Sequence, residues 1–202
     1  MDLAKLNLMT KSLGNKKFKT AVFISGNGSN LKNLIDFSFL NKSPIEINLV
    51  ISNNKKSKGL IFSKKNNIES KVFNFKEKKI AETQILKMLK IKKIELICLA
   101  GFMKILSKTF IRSFRGKILN IHPSLLPKYK GLNTHKRAIA NNEKFSGCTV
   151  HVVNSKLDSG KIILQKKVKL DKKETVKKLQ QKILKQEYIL YPKAIKKFLS
   201  NL

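Results

Sequence analysis

Acidic residues are scarce in this chain: 12 Asp and Glu stand against 44 Lys and Arg, for a formal net charge of +32. Cysteine is scarcer still, with two residues. Neither Cys98 nor Cys148 has a partner at metal-ligand spacing, and both sit in apolar or β-branched runs. They read as small buried hydrophobes of a reducing compartment, which argues against a disulfide scaffold. No apolar stretch approaches the ~20 residues of a membrane span. Residues 1–19 lack the continuous apolar core and small-residue cleavage site of a secretory signal. The cytoplasm is the expected location, with no membrane partner. There are no internal repeats and no Pro/Ser-rich linker. The 202 residues are enough to bury a core without staples. Residues 1–19 read as a basic N-terminal extension, expected to be flexible, and residues 20–202 as a single domain.

The shortage of arginine decides how the charge is read. All but three of the 44 basic residues are lysine, the exceptions being Arg112, Arg115 and Arg137. Arginine suits bidentate recognition of phosphate and guanine, whereas lysine is the generic solvated charge. The lysines run along the whole chain, from Lys16-Lys17 through Lys92-Lys93 to Lys196-Lys197. They accompany many Asn, Ile and Phe residues, whose codons are also AT-rich. Base composition accounts for all of this without a polyanion partner. Specific nucleic-acid binding is therefore not expected, and weak adhesion at low salt is.

What the chain does have is an alternation of short β-like runs with amphipathic helical ones, the pattern of a parallel α/β sheet. Strands are expected over residues 20–25, 45–51, 71–75 and 95–100, and in the run ending at His122. Helices are expected after residue 30 (Leu31, Leu34, Ile35 and Phe39) and around 59–65, 80–89 and 107–114. Beyond Gly131 the texture changes. Residues 147–153 alternate Cys148, Val150 and Val152 against Thr149, His151 and Val153. Residues 162–170 are again extended, and the short link over 154–160 makes the two strands antiparallel. A long terminal helix begins at Thr175, with apolar positions at Val176, Leu179, Ile183, Leu184 and Ile189, and Pro192 is expected to kink or divide it. The fold class is α/β. A Rossmann-like parallel sheet forms the N-terminal half and continues as a mixed sheet in a smaller C-terminal half with a long C-terminal helix.

Three histidines narrow the search for chemistry. His122 stands in Asn120-Ile121-His122-Pro123, where an amide and an imidazole two residues apart on an extended backbone point the same way. Pro123 stops the strand there. Such a pair can stabilise an oxyanion and move a proton; the plainer reading is a satisfied histidine beside a tight turn. Gly26-Asn27-Gly28-Ser29-Asn30 is either a capped strand–helix turn or an anion cradle made by helix N-terminal amides. It is not the GxGxxG dinucleotide pattern. Along Leu99-Ala100-Gly101-Phe102-Met103-Lys104-Ile105-Leu106, Gly101 permits close backbone approach. The apolar residues beside it are either core or a wall for a flat ring. Leu157-Asp158-Ser159-Gly160 is by itself a good tight-turn sequence. His151 reads as a surface or turn residue, and His135 as a site-edge residue without an assigned role.

These segments, in this order and over roughly residues 20–192, resemble the folate-dependent formyltransferases. Within that family the chain is most similar to members that formylate the amine of 5-phosphoribosylglycinamide. The resemblance implies a catalytic trio of Asn120, His122 and Asp158, with Asp158 favouring the protonated imidazole and raising its pKa. It implies that Gly28, Ser29 and Asn30 hold the substrate phosphate and that Gln186 and Glu187 meet its ribose. The family's polar residue before them is Leu184 here. For folate it implies Met103, Lys104, Ile105 and Leu106 along the pterin pocket and Lys78 in place of a common Arg. Asn154, Ser155, Lys156 and Leu157 form a closing loop, with Asn120 and Asp158 also in contact. Lys130 and Asn133 depart from the Pro and His common in the family. 10-Formyltetrahydrofolate enters as co-substrate, and no metal is implied. The expected activity is direct formyl transfer in de novo purine biosynthesis, on small-molecule substrates. A formyltetrahydrofolate hydrolase and a methionyl-tRNA formyltransferase are the enzymatic alternatives, both of which usually carry an additional domain. A non-enzymatic nucleic-acid-binding protein is the alternative of another class.

If base composition explains the lysines, any affinity for DNA or RNA should fall steeply between low and physiological salt and ignore sequence. Gel retardation of unrelated duplexes at the two salt levels checks this. Tight, selective binding at physiological salt would reverse the reading.

Overall fold

In the computed structural model, which describes residues 16–202, the apolar runs become seven strands: β1 (Phe18–Ile24), β2 (Ile45–Ser52), β3 (Ser70–Val72), β4 (Leu96–Leu99), β5 (Lys117–His122), β6 (Phe145–Val152) and β7 (Ile162–Lys169). Six helices join them: α1 (Ser29–Ser38), α2 (Leu60–Lys65), α3 (Lys78–Ile91), α4 (Lys108–Ser113), α5 (Thr134–Ala140) and α6 (Val176–Leu199). Residues 1–15, most of the expected extension, lie outside the described residues. Phe18 and Lys19, assigned to that extension, instead open β1.

The strands form one sheet in the order β3-β2-β1-β4-β5-β6-β7. The first five are parallel, and β6 and β7 are antiparallel additions. The mixed sheet expected from the sequence is the one observed. Because successive side chains alternate across a strand, Val22, Ile24, Leu96 and Cys98 face one side, packed against α1 and α6. Ala21, Phe23, Ile97 and Leu99 face the other, against α3 and α4. From β1 the chain moves outward to β2 and β3, then returns to lay β4 and β5 on the opposite flank. Ligands of such sheets bind outside the strand C-termini where the order reverses, here between β1 and β4. The Gly26–28 turn and the Gly101 turn both emerge there.

Some elements depart from expectation. The third strand stops at Val72, and Phe75 begins a single 3₁₀ turn, where the Asn74 side chain accepts the Lys76 amide. An Asx cap offers the backbone a local alternative to the ladder. The helix α5 covers residues for which no element is expected from the sequence. It is only two turns long, and its buried residues, Thr134 and Ala138, make no apolar stripe. Pro192 does not divide α6, which runs unbroken from Val176 to Leu199. Proline removes the hydrogen bond to the carbonyl four residues earlier. That carbonyl, Tyr188 O, accepts instead from Asn33 Nδ2 on α1 at 2.9 Å. No helix among the described residues is long and apolar enough to cross a membrane.

Next to Pro192, the fully buried Tyr191 places its hydroxyl 3.1 Å from both the Leu99 and Leu119 carbonyls, where β4 and β5 lie side by side. Tyr191→Phe is expected to lower unfolding stability by about 1–2 kcal/mol, the net loss of a buried hydrogen bond. Urea denaturation measures it; an unchanged midpoint would show that the bond contributes nothing net.

Candidate active site

A cleft of about 1280 Å³ opens at the reversal point. The Ser25-to-Asn30 turn after β1 lines it, together with the Leu99-to-Leu106 segment after β4 and the ends of β5 and β6. The β6–β7 link, α5 and α6 complete it. A second hollow, of about 810 Å³, lies at the opposite, N-terminal edge of the strands and is lined by none of the candidate catalytic residues.

Gly28 adopts a left-handed conformation, φ +72°, at the start of α1. No side chain caps this helix, so its first-turn amides remain available to an anion. Ser29 and Asn30 follow at the cleft wall. Asn30 Nδ2 donates to Glu187 Oε2 at 2.7 Å, while Asn30 Oδ1 is buried without a partner. Burial pushes the Glu187 carboxyl up to about 7, with the Asn30 hydrogen bond opposing. Near neutral pH this carboxyl can accept or donate.

The β4 turn presents Met103 and Ile105, 62% and 65% exposed, with Lys104 between them, whereas Leu106 is buried on the sheet side that faces α3 and α4. Phe102 packs edge-on against Phe23 and Phe75 and anchors the turn.

The candidate catalytic groups and their neighbours come from β5, β6 and the link beyond β6. Asn120 and His122 lie on β5, and antiparallel pairing sets Asn120 opposite His151. His151 Nδ1 donates to the Val152 carbonyl at 3.0 Å, and its Nε2 lies 3.1 Å from Asn120 Nδ2. His122 Nε2 donates to the Tyr129 carbonyl at 2.9 Å, and its Nδ1 faces Asp158 Oδ2 at 3.5 Å. Asp158 Oδ2 also accepts the Gly131 amide at 2.8 Å, while its other oxygen lies 3.6 Å from His151 Nε2. Burial works against charge on Asp158, yet His151, the Gly131 amide and the His122 ring together hold its carboxyl below the usual carboxylate value. Both His122 nitrogens face oxygen atoms, and the Tyr129 carbonyl and Asp158 each raise its pKa. Burial outweighs them, and the ring sits below its ordinary 6.5. The expectation of a net upward shift is corrected here: Asp158 pushes in the expected direction, and desolvation wins.

Three other expectations are also revised. Lys78 does not line the cleft. It reaches along α3 toward Glu82, 4.0 Å away, a buried carboxylate held in turn by the Ser107 amide. Gln186 is likewise absent from the lining. Gln180, Ile183, Leu184 and Glu187 share the cleft face of α6 at helical spacing, and Gln186 lies about 100° away from Glu187. His151, expected as a surface or turn residue, is a buried strand residue inside the site. Nothing local in the sequence signalled this, because residues 123–144 separate β6 from β5 and only their pairing sets His151 opposite Asn120. Lys177 and Gln180, also on the cleft, carried no signal. Asn154, Ser155, Lys156 and Leu157 line the cleft as expected, and His135 reaches its wall.

Residues 18–195 match the family described as formyl transferase. The chain belongs to the formyl transferase family. A phosphoribosylglycinamide formyltransferase of Haemophilus influenzae is 44% identical over 183 residues, covering 89% of this chain and 86% of that protein. The human trifunctional purine biosynthetic protein adenosine-3 is 40% identical over 91% of this chain, which spans 18% of that protein. Among formyl transferases of solved structure, phosphoribosylglycinamide formyltransferase from Brucella melitensis superposes with a TM-score of 0.86. It is 41% identical, over 91% of this chain and 96% of its own.

The geometry makes Asp158 the support of positive charge on His122. In Asp158→Asn, the His122 ring should titrate lower than in the unmodified chain, itself below 6.5. At mildly acidic pH less of it would then be charged. Histidine Cε1–H shifts followed from about pH 4 to 8 read this directly. An unchanged or raised value would remove Asp158 from that role.

Proposed function

We propose that the chain is an enzyme that transfers the formyl group of 10-formyltetrahydrofolate to the amine of 5-phosphoribosylglycinamide, a step of de novo purine biosynthesis. Residues 20–202 act as one domain on small-molecule substrates, in the cytoplasm, where two buried free thiols are at home. One observation carries the reading: Asn120, His122 and Asp158 converge on a cleft bounded by an anion-ready turn and an apolar wall. The sequence identity to phosphoribosylglycinamide formyltransferases supports it.

The cleft suits two molecules side by side. Its roughly 1280 Å³ exceeds the ~300–1,000 Å³ usual for a single ligand. The amides of Gly28, Ser29 and Asn30 suit a phosphate. The unpartnered Asn30 Oδ1 and the Glu187 carboxyl suit ribose hydroxyls. Met103, Lys104, Ile105 and Leu106, with the link residues up to Leu157, suit a flat pterin. The bound folate supplies an activated formyl carbon.

The amine lone pair forms the new C–N bond at that carbon, and negative charge gathers on the formyl oxygen. Asn120, held beside His151 at 3.1 Å, donates an amide hydrogen to this oxygen. His122 in its charged form offsets the same charge, its two nitrogens held by Tyr129 O and Asp158. The bond to the folate nitrogen then breaks. The proton lost by the attacking amine is passed on, with His122 taking part, to that leaving nitrogen.

Tetrahydrofolate release is expected to require 5-phosphoribosylglycinamide. Mixing the chain with both substrates, and with each acceptor in turn, tests this. Release to water alone would indicate a hydrolase, and transfer only to methionyl-tRNA a tRNA enzyme. Asn120→Ala should lose roughly 10²–10³ in kcat, the usual cost of one oxyanion donor. Near-normal turnover by that variant, folded by circular dichroism, would sink the mechanism.

A further inference from the structure

Residues 53–59, which join β2 to α2, contribute nothing to the cleft lining, yet their contacts end on residues that do. Ser57 Oγ donates to the Gly26 carbonyl at 2.6 Å, and the Gly59 amide donates to the same carbonyl at 3.0 Å. Gly59 also lies directly against Gly28. A Cβ built on Gly59 would stand 2.7 Å from Gly28 Cα, and one on Gly28 would stand 2.4 Å from Gly59 Cα. Neither distance leaves room for a side chain, so the shape of the turn after β1 depends on two missing Cβ atoms. At the other end of the segment, Asn53 Oδ1 accepts the Ser25 hydroxyl hydrogen. A hydroxyl has one hydrogen. With it committed to Asn53, the Ser25 oxygen presents its lone pairs to the Met103 amide, which donates to it at 2.7 Å.

We propose that residues 53–59 form a brace that positions both substrate-binding turns, with Asn53 and Gly59 as its positioning residues. Gly59 sets the anion-binding turn by contact. Asn53 sets the backbone of the apolar wall at Met103 by orienting the Ser25 hydroxyl. The names of the two ligands rest on the formyl-transfer reading; the brace itself rests on the contacts. Neither residue touches substrate in this scheme. Each acts on affinity for one partner through the turn it holds, so the two halves of the cleft can be perturbed separately from one loop.

Steady-state kinetics of the full chain separate the two arms. Asn53→Ala should raise the KM for 10-formyltetrahydrofolate roughly 3- to 10-fold, the range of one net hydrogen bond. The KM for 5-phosphoribosylglycinamide and kcat should stay close to normal. Asn53→Asp keeps the acceptor oxygen and should restore the folate KM. Gly59→Ala should do the reverse, raising the glycinamide KM roughly tenfold or more through overpacking against Gly28. If Gly59→Ala does not fold, Ser57→Ala should produce the same one-sided effect at smaller size. Hydrogen exchange of the unliganded protein gives a readout that needs neither substrate. The Met103 amide should exchange roughly 3- to 10-fold faster in Asn53→Ala and at the normal rate in Asn53→Asp. Equal changes in both KM values, or normal Met103 exchange in Asn53→Ala, would overturn the brace. If the unmodified chain turned over neither substrate, the activity would fall, and Met103 exchange alone would still decide for or against the brace.

Discussion

A carboxylate hidden from water has to be compensated, and at Asp158 the compensation comes from three segments at once. Its side chain is 9% exposed, with the Gly131 amide at 2.8 Å and the His122 and His151 rings at 3.5 and 3.6 Å. An uncompensated buried charge costs several kcal/mol after relaxation, by order of magnitude. The segment from Tyr129 to Gly131, the end of β5 and the end of β6 are therefore held to one geometry by a common requirement. Tyr129 contributes from the other side, its carbonyl taking the second His122 nitrogen. The imidazole is clamped between two oxygens, Tyr129 O and Asp158 Oδ2, and Asn120 is oriented by the histidine that faces the same carboxylate.

The second organising contact is between α1 and α6. Asn30 reaches Glu187, and Asn33 reaches the Tyr188 carbonyl left without its helical donor by Pro192. One helix pair thus does two jobs. It satisfies the proline defect in the middle of a 24-residue helix, and it delivers a carboxyl group to the mouth of the anion-binding turn. Tyr191, between them in sequence, ties the same helix to β4 and β5 through two carbonyls. Glu187, Tyr188 and Tyr191 thus tie α6 to α1, β4 and β5, and with Glu187 on the cleft lining the terminal helix is part of the site as well as part of its cover.

Much of the architecture was legible because it rests on short-range rules. The apolar runs of β1, β2, β4 and β5 are buried on both sides, as parallel strands are, and Leu31, Leu34 and Ile35 repeat at helical spacing on α1. The reversal in chain texture after Gly131 corresponds to the change from parallel to antiparallel pairing. Where local rules compete, the reading slipped. Asn74 drew the chain out of β3 into a capped 3₁₀ turn, α5 was too short to show a stripe, and Pro192 was expected to break a helix that a side chain 155 residues away in sequence repairs.

The same division runs through the site. Asn120 and His122, two residues apart on a strand, and Gly28, Ser29 and Asn30, consecutive at a helix start, were determined by sequence alone, since backbone geometry carries neighbours to a common place. Which distant groups meet them was decided only in the tertiary structure. His151 lies 31 residues from Asn120 and becomes its partner through strand register. Asp158 reaches His122 from the end of a hairpin link. Lys78 and Gln186 sit on helices whose rotation turns them away from the cleft, a matter of about 100° per residue that packing sets and composition does not reveal. Desolvation is likewise a property of the folded surroundings: a carboxylate beside His122 was readable in the order of residues, but the burial that outweighs it was not.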